Sequence, residues 1–172
     1  IVPDYILGDF DSVSRPLLER YKTLSSQIIS YPPEKDMTNT QIAIELAISH
    51  NPAWIDICGA TGSRVDHMLA NIHLLLMPLR VGIDACIYDD NNKIYLRNKS
   101  FTIMKDEQYG SFVSLLPFTD EVYGITLEGF KYPLYDYTLS NGSSIAISNE
   151  IAQAEGRVFF KNGILLVVES RD

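Results

Sequence analysis

The sequence predicts an α/β domain on a mainly parallel, Rossmann-like sheet, followed by an all-β sandwich domain. Three observations carry this expectation. Strand and helix signals alternate up to about residue 80. Beyond Gly82, short β-rich runs follow one another with no helix-period segment between them. Turn signals, among them Asn91-Asn92, Asn141-Gly142 and Asn162-Gly163, separate those runs. The expected domains are residues 1–81 and 82–172, joined near 79–84.

In order, Tyr5–Leu7 reads as a strand, Ser14–Lys22 as a short helix and Gln27–Ser30 as a strand. Thr38–Ser49 reads as a helix and Trp54–Cys58 as a strand, and Asp66–Met77 is a long apolar-striped helix ending before Pro78. The second half contributes Ile83–Tyr88, Lys93–Leu96, Phe101–Met104, Phe112–Leu116, Glu121–Leu127, Ser144–Ser148, Val158–Phe160 and Ile164–Glu169 as strands. Asn162-Gly163 is expected to close a two-residue hairpin, because Asn-Gly tolerates the positive φ values of a type I′ turn.

The 172 residues are enough for a sizeable core, and 46% hydrophobic with 21% charged residues describes an ordinary folded chain. A net charge of −8 without a Lys/Arg cluster argues against nucleic acid as a partner, because phosphate binding depends on counterion release. It leaves room for ATP, since a local Mg²⁺ and one arginine outweigh a distant acidic surface. No window approaches the roughly 20 apolar residues of a bilayer span, so no membrane partner is expected. No signal peptide is visible.

Cys58 and Cys86 sit in apolar runs without metal-ligand spacing and read as reduced core thiols of a cytoplasmic protein. His67 and His73 are six apart and His50 falls at a helix end, so the histidines make no metal set. The chain opens at Ile1 without Met and a buried strand begins almost at once, so an N-terminal segment is expected to precede it.

Three loops follow three successive predicted strands. In Gly8-Asp9-Phe10-Asp11-Ser12, strand alternation would set Asp9 and Asp11 side by side. Two such carboxylates repel unless a proton or cation lies between them, and hard oxygen ligands suit Mg²⁺. The plainer alternative is a solvated turn ended by Ser12. In Lys35-Asp36-Met37-Thr38-Asn39-Thr40-Gln41, a cation and an acid stand at a helix start suited to phosphates; Thr38 with Gln41 equally fits a capping box. In Gly59-Ala60-Thr61-Gly62-Ser63-Arg64-Val65-Asp66-His67, glycines let backbone N–H groups approach an anion and Arg64 can grip a phosphate with its fork. The alternative there is a tight turn with Asp66 as N-cap. Together the loops point to a Mg²⁺–phosphate site acting by positioning and charge neutralisation.

GDFDS, KDxT at a helix start and GATGSRxDH before a helix, in this order, resemble the thiamine pyrophosphokinase family. The later Gly129-Phe130-Lys131-Tyr132-Pro133-Leu134, Leu139–Ser144 and Ile147-Ser148-Asn149-Glu150 resemble the family's β-domain signature, so the likeness runs through essentially the whole chain. The resemblance implies transfer of a pyrophosphoryl group from ATP to the hydroxyl of thiamine, giving thiamine diphosphate and AMP. It implies Asp9, Asp11 and Asp36 as Mg²⁺ ligands, with Asp66 and Arg64 completing the catalytic set. It implies Lys35, Thr38, Asn39, Gly62, Ser63, Arg64 and His67 near ATP, and Tyr132, Ser148 and Asn149 near thiamine. Either Asp9 or Asp66 is implied as a base. It also implies a homodimer, with thiamine between the α/β domain of one subunit and the β domain of the other.

Two features depart from the family pattern. Asn39 stands where KDxTD has a second acid, which places more of the charge on Asp36. An upstream strand with a DGGA-type loop is not seen, so the chain is expected to lack its N-terminal segment. Two other readings compete. One is a nucleotide- or thiamine-binding scaffold without turnover. The other is a haloacid-dehalogenase-type phosphatase, which shares strand-Asp-x-Asp but needs a later acidic pair where Asp89-Asp90 fits poorly.

Overall fold

The computed structural model describes residues 2–10, 13–23, 27–32 and 36–172. Asp11 and Lys35, both singled out above, lie outside the described residues. The chain forms two compact units, Ile1–His50 and Asn51–Asp172.

In the first unit, β1 (Tyr5–Gly8) runs parallel to β2 (Gln27–Ser30), Tyr5 facing Gln27 and Gly8 facing Ser30. α1 (Arg15–Lys22) lies between them in sequence, with Pro16 in its first turn where no intrahelical N–H is needed. α2 (Asn39–Ser49) packs on β1 and buries Ile42 and Ile44. His50, its C-cap, places its ring 5.3 Å from that of Tyr5.

The second unit begins with β3 (Trp54–Cys58), α3 (Val65–Leu74) and α4 (Leu76–Arg80). Seven of its later strands are β4 (Asp84–Tyr88), β5 (Asn92–Arg97), β6 (Phe101–Met104), β7 (Phe112–Pro117), β8 (Glu121–Glu128), β9 (Tyr137–Ser140) and β10 (Glu155–Phe159), and β11 (Leu165–Ser170) is the last. One sheet has the order β3-β4-β5-β11-β7 and the other β6-β10-β8-β9. Alternating residues from both sheets, among them Tyr95, Val113, Leu115, Val122, Ile125, Val158, Leu165 and Val167, share one buried core. The pairing of β8 with β9 shifts register between Val122 and Ile125, where Gly124 takes a φ of 68° that glycine adopts without cost.

The predicted Rossmann-like domain with a mainly parallel sheet, set apart from an all-β sandwich, is overturned. Among the described residues the structure is mostly β, with mixed and antiparallel sheets and four helices. The β1–β2 pair is a two-stranded sheet of its own. β3 pairs parallel to β4, and β4 pairs antiparallel to β5, so β3 is stitched into the larger β sheet. Periodicity marks a strand and leaves its hydrogen-bonding partner undetermined.

Local differences have physical causes as well. The long helix predicted over Asp66–Met77 is two helices, because Pro78 has no N–H to give Leu74 and sits instead in the first turn of α4. Asn162-Gly163 closes no hairpin: β10 and β11 belong to different sheets and the connection crosses between them. Ser144–Ser148 is a turn segment, and β9 was not anticipated. Cys58 is exposed and Cys86 half-buried; both are free, so Cys58 is no core thiol.

Glu169 is 1% exposed, yet its carboxylate is well supplied with donors. The Tyr95 hydroxyl donates to Oε1 at 2.9 Å, the Tyr109 N–H donates to Oε2 at 2.8 Å, and Lys93 Nζ lies 3.4 Å away. Burial foremost, then the Glu169 charge beside it, pushes the Tyr95 hydroxyl well above its ordinary pKa, which keeps it protonated as the donor. Tyr95→Phe removes that donor at constant ring shape. It is expected to lower stability by about 1–3 kcal/mol in urea unfolding; an unchanged midpoint would show that the bond contributes nothing.

Candidate functional site

Cys58 and Tyr88, the carboxyl ends of β3 and β4, are partners in the parallel register. Ligands of parallel strands bind beyond such ends. A cavity of about 440 Å³ lies there, lined by Cys58, Gly59, Tyr88, Asp89 and Asp90. The loop leaving β3 takes Gly59 to φ 74° and Gly62 to φ 22°. A Cβ at either glycine would meet nothing within 4 Å, so these glycines supply backbone conformation rather than room for a neighbour. Buried Asn71, on α3, donates from Nδ2 to the Ala60 carbonyl at 2.8 Å and anchors the loop to the helix.

Arg64 is the N-cap of α3 and Asp66 lies in its first turn, so the alternative of Asp66 as cap is not realised. The Arg64 fork donates to Asp66 through Nε at 3.2 Å and Nη2 at 2.6 Å. Both side chains are about two-thirds exposed, at 69% and 65%. The hydrogen bonds from Arg64 hold the Asp66 carboxyl below the usual carboxylate range, and the same contact raises Arg64. Ser63 and His67 flank the pair and are exposed.

Asp89 entered the sequence reading only as half of an acidic pair that fits a phosphatase poorly. Its Oδ1 accepts the N–H groups of Asn91 and Asn92 at 2.8 and 2.7 Å. Only the β3–β4 pairing reveals that Asp89 adjoins the glycine loop.

In the first unit, β1 stops at Gly8 and Phe10 takes φ 58°, so the strand ends before Asp9, and Asp11 lies outside the described residues. Asp9 is half-buried there. The Asn39 side chain packs near Gly8, with Nδ2 3.7 Å from where a Cβ would stand, which brings the first two motifs together. Thr38 caps α2, its Oγ1 accepting the Gln41 N–H at 3.2 Å, while Gln41 turns to Glu45 at 3.1 Å. Asp36 is exposed just ahead of them. Among the described residues no three His, Cys, Asp or Glu side chains converge.

Tyr132 is 57% exposed in an irregular segment, not on a strand. Asn149, 4% exposed, spends its amide on that segment. Its Oδ1 accepts from the Tyr132 and Glu150 N–H groups at 3.1 and 2.9 Å, and its Nδ2 donates to the Tyr132 carbonyl at 2.7 Å. Ser148 is exposed, takes φ 53° and donates its N–H to Ser114 Oγ at 2.9 Å. The three predicted thiamine residues are thus gathered, with Asn149 holding Tyr132 in place.

A bare glycine loop with an arginine fork at the end of parallel strands suits phosphate groups, and the chain is a phosphate-group transferase of the kinase class. The sequence profile of the thiamin pyrophosphokinase catalytic domain matches residues 1–87, and that of the thiamin pyrophosphokinase vitamin B1 binding domain matches residues 100–165. Thiamine pyrophosphokinase of Bacillus subtilis is 35% identical over the whole chain and 80% of its own length. Its crystal structure superposes with a TM-score of 0.92, at 34% identity, covering 100% of this chain and 80% of that one. Thiamin pyrophosphokinase of Geobacillus thermodenitrificans gives 0.85 at 34% identity, covering 99% and 78%. The chain belongs to the thiamine pyrophosphokinase family, and its reaction is the pyrophosphorylation of thiamine. The phosphatase and inert-scaffold readings fall away.

Two outcomes follow from this geometry. In Arg64→Ala the Asp66 carboxyl loses the cation that favours its charged form, so its midpoint should rise toward the ordinary carboxylate range in a carboxyl-carbon NMR titration; an unmoved midpoint would mean the pair does not persist in solution. In Asn149→Ala the Tyr132 and Glu150 amides lose their acceptor. Their hydrogen exchange should accelerate on the order of tenfold or more, matching a lost bond of about 1–3 kcal/mol, and unchanged protection would remove Asn149 as the strut.

Proposed function

We propose that ATP is the pyrophosphoryl donor, that Mg²⁺ is required, and that the protein acts in the cytoplasm as a homodimer. In this reading residues 1–81 bind nucleotide and metal and residues 82–172 bind thiamine. The two profile matches, one to each part, support that division, and the free thiols of Cys58 and Cys86 suit a reducing compartment. The observation that carries the reading is the glycine loop with Arg64 and Asp66 at the carboxyl end of β3.

The donor set fits Mg²⁺. Asp9 and Asp36, with Asp11 beside them in sequence, offer only hard carboxylate oxygens. When bound, Mg²⁺ would be held by these carboxylates and would offset the negative charge of the phosphate groups.

The thiamine hydroxyl oxygen attacks the β-phosphorus of ATP and a new P–O bond forms. The bond from that phosphorus to the oxygen shared with the α-phosphate breaks, and AMP leaves with the oxygen. The hydroxyl proton passes to Asp9 or to solvent, because Asp66, held ionised by Arg64, is a poor proton acceptor. Backbone N–H groups around Gly62 and Ser63, with Arg64, hold the phosphates. Lys35, Thr38, Asn39 and His67 complete the nucleotide's surroundings. Tyr132 offers an aromatic face to the cationic thiazolium or the aminopyrimidine, beside Ser148; Lys131 Nζ stands 5.5 Å from its ring centroid, so the opposite face is the one available.

The deciding measurement is AMP and thiamine diphosphate formed from ATP and thiamine with and without Mg²⁺. Equal amounts of both products, dependent on the metal, are expected. Asp9→Asn should lower turnover on the order of 10²-fold while unfolding like the parent chain. ADP with thiamine monophosphate as products, or full turnover in Asp9→Asn, would overturn the assignment.

A further inference from the structure

β7 is the last strand of the larger sheet, so one of its edges is free to pair with another piece of chain. Residues 146–149 occupy that edge. The Val113 N–H donates to the Asn149 carbonyl at 2.7 Å, and the Asn149 N–H donates back to the Val113 carbonyl at 3.0 Å. In a regular antiparallel ladder the next exchange would join Leu115 to Ile147. Instead the Leu115 N–H donates to the Ala146 carbonyl at 2.8 Å, so three steps of the segment answer two steps of β7. One residue is in excess, as in a β-bulge. The two anchors, Ala146 and Asn149, are 2% and 4% exposed, while Ile147 and Ser148 between them stand out to solvent.

The excess is absorbed at Ser148, whose φ of 53° is the left-handed conformation that a Cβ disfavours. Its N–H goes to a side chain rather than to the ladder, donating to Ser114 Oγ at 2.9 Å. Ser114 lies between the two ladder points, on the face of β7 opposite Val113 and Leu115, and is 8% exposed. An apolar side chain there would deprive the Ser148 N–H of this acceptor and leave the strained backbone without its support. A bulge turns a side chain out of the alternation of its strand. Here it turns out Ser148, next to the Asn149 amide that holds Tyr132.

We infer that Ser114 is a positioning residue for thiamine: its hydrogen bond to Ser148 holds this bulge and keeps Ser148 preformed beside the Tyr132 segment. Ser114 acts through Ser148 and does not touch the ligand. This inference rests on the reading that Ser148 and Tyr132 meet thiamine.

The test is steady-state kinetics on the full chain, with thiamine and ATP varied separately, together with amide exchange at Ser148. Ser114→Ala is expected to raise KM for thiamine about tenfold, the size of one ordinary hydrogen bond. KM for ATP and kcat should stay within about twofold, and the Ser148 amide should exchange about tenfold faster. Ser114→Thr keeps the hydroxyl and suits a strand, so it should match the parent on every measure. If Ser114→Ala fails to fold, Ser114→Cys, which keeps the bulk and offers only a weak acceptor, decides by the same split. An unchanged KM for thiamine, an equal rise in KM for ATP, unchanged exchange at Ser148, or Ser114→Thr as impaired as Ser114→Ala would overturn the proposal. Tyr132→Ala separates the two levels. If it raises KM for thiamine while Ser114→Ala does not, the segment still binds the vitamin and the role of Ser114 is refuted; if neither does, both fall.

Discussion

The parallel pairing of β3 with β4 is the constraint on which the geometry of the candidate site in the second unit depends. Five residues of each strand face one another from Trp54 with Asp84 to Cys58 with Tyr88. That register sets the point at which both strands end, and so where the glycine loop and the Asp89 turn emerge. The opposite edge of β4 pairs antiparallel with β5, and β5 with β11. The glycine loop is thereby attached to a sheet whose inner strand β11 buries Leu165 and Val167 completely. Preorganisation of this kind is what electrostatic catalysis requires, since donors that are already in place need no rearrangement during the reaction.

Polar groups enforce the same order where apolar packing cannot. Glu169 collects donors from β5 and from the segment before β7, and its burial makes any missing donor costly. Asn149 holds the Tyr132 segment, and Asn71 holds the glycine loop. Each is a buried side chain whose hydrogen bonds go to neighbouring protein groups. In contrast the groups assigned to ligands, Arg64, Asp66, Tyr132 and Ser148, are exposed. Rigid struts beneath and exposed groups above give a site that can meet a ligand without first reorganising.

Much of this was legible in the sequence. Apolar runs marked β1 to β8 nearly to the residue, and the motifs singled out the glycine loop with Arg64 and Asp66, which the structure places together at the end of β3. The misreadings share one cause, which is that local pattern does not name a partner. Trp54–Cys58 looked like another strand of a Rossmann-like sheet, but its neighbour is Asp84–Tyr88, thirty residues on. Asn162-Gly163 has the chemistry of a hairpin turn, yet its flanking strands pair elsewhere. Asn149, expected near thiamine, also makes three hydrogen bonds to backbone that no local pattern announces. Asp89 was weighed only as half of an acidic pair, because its place beside the loop after β3 follows from strand pairing across thirty residues.

By itself, then, the sequence determined the residue types available for chemistry, the positions of most strands and helices, and the family to which their ordered motifs belong. These depend on short-range physics, namely the period of side chains along a strand or helix and the chemistry of the groups themselves. Tertiary structure alone decided which strands share a sheet, which polar side chains are consumed as struts, and which remain for a ligand. Those outcomes follow from hydrogen-bond partners far apart in the chain, whose choice is made by burial and register together.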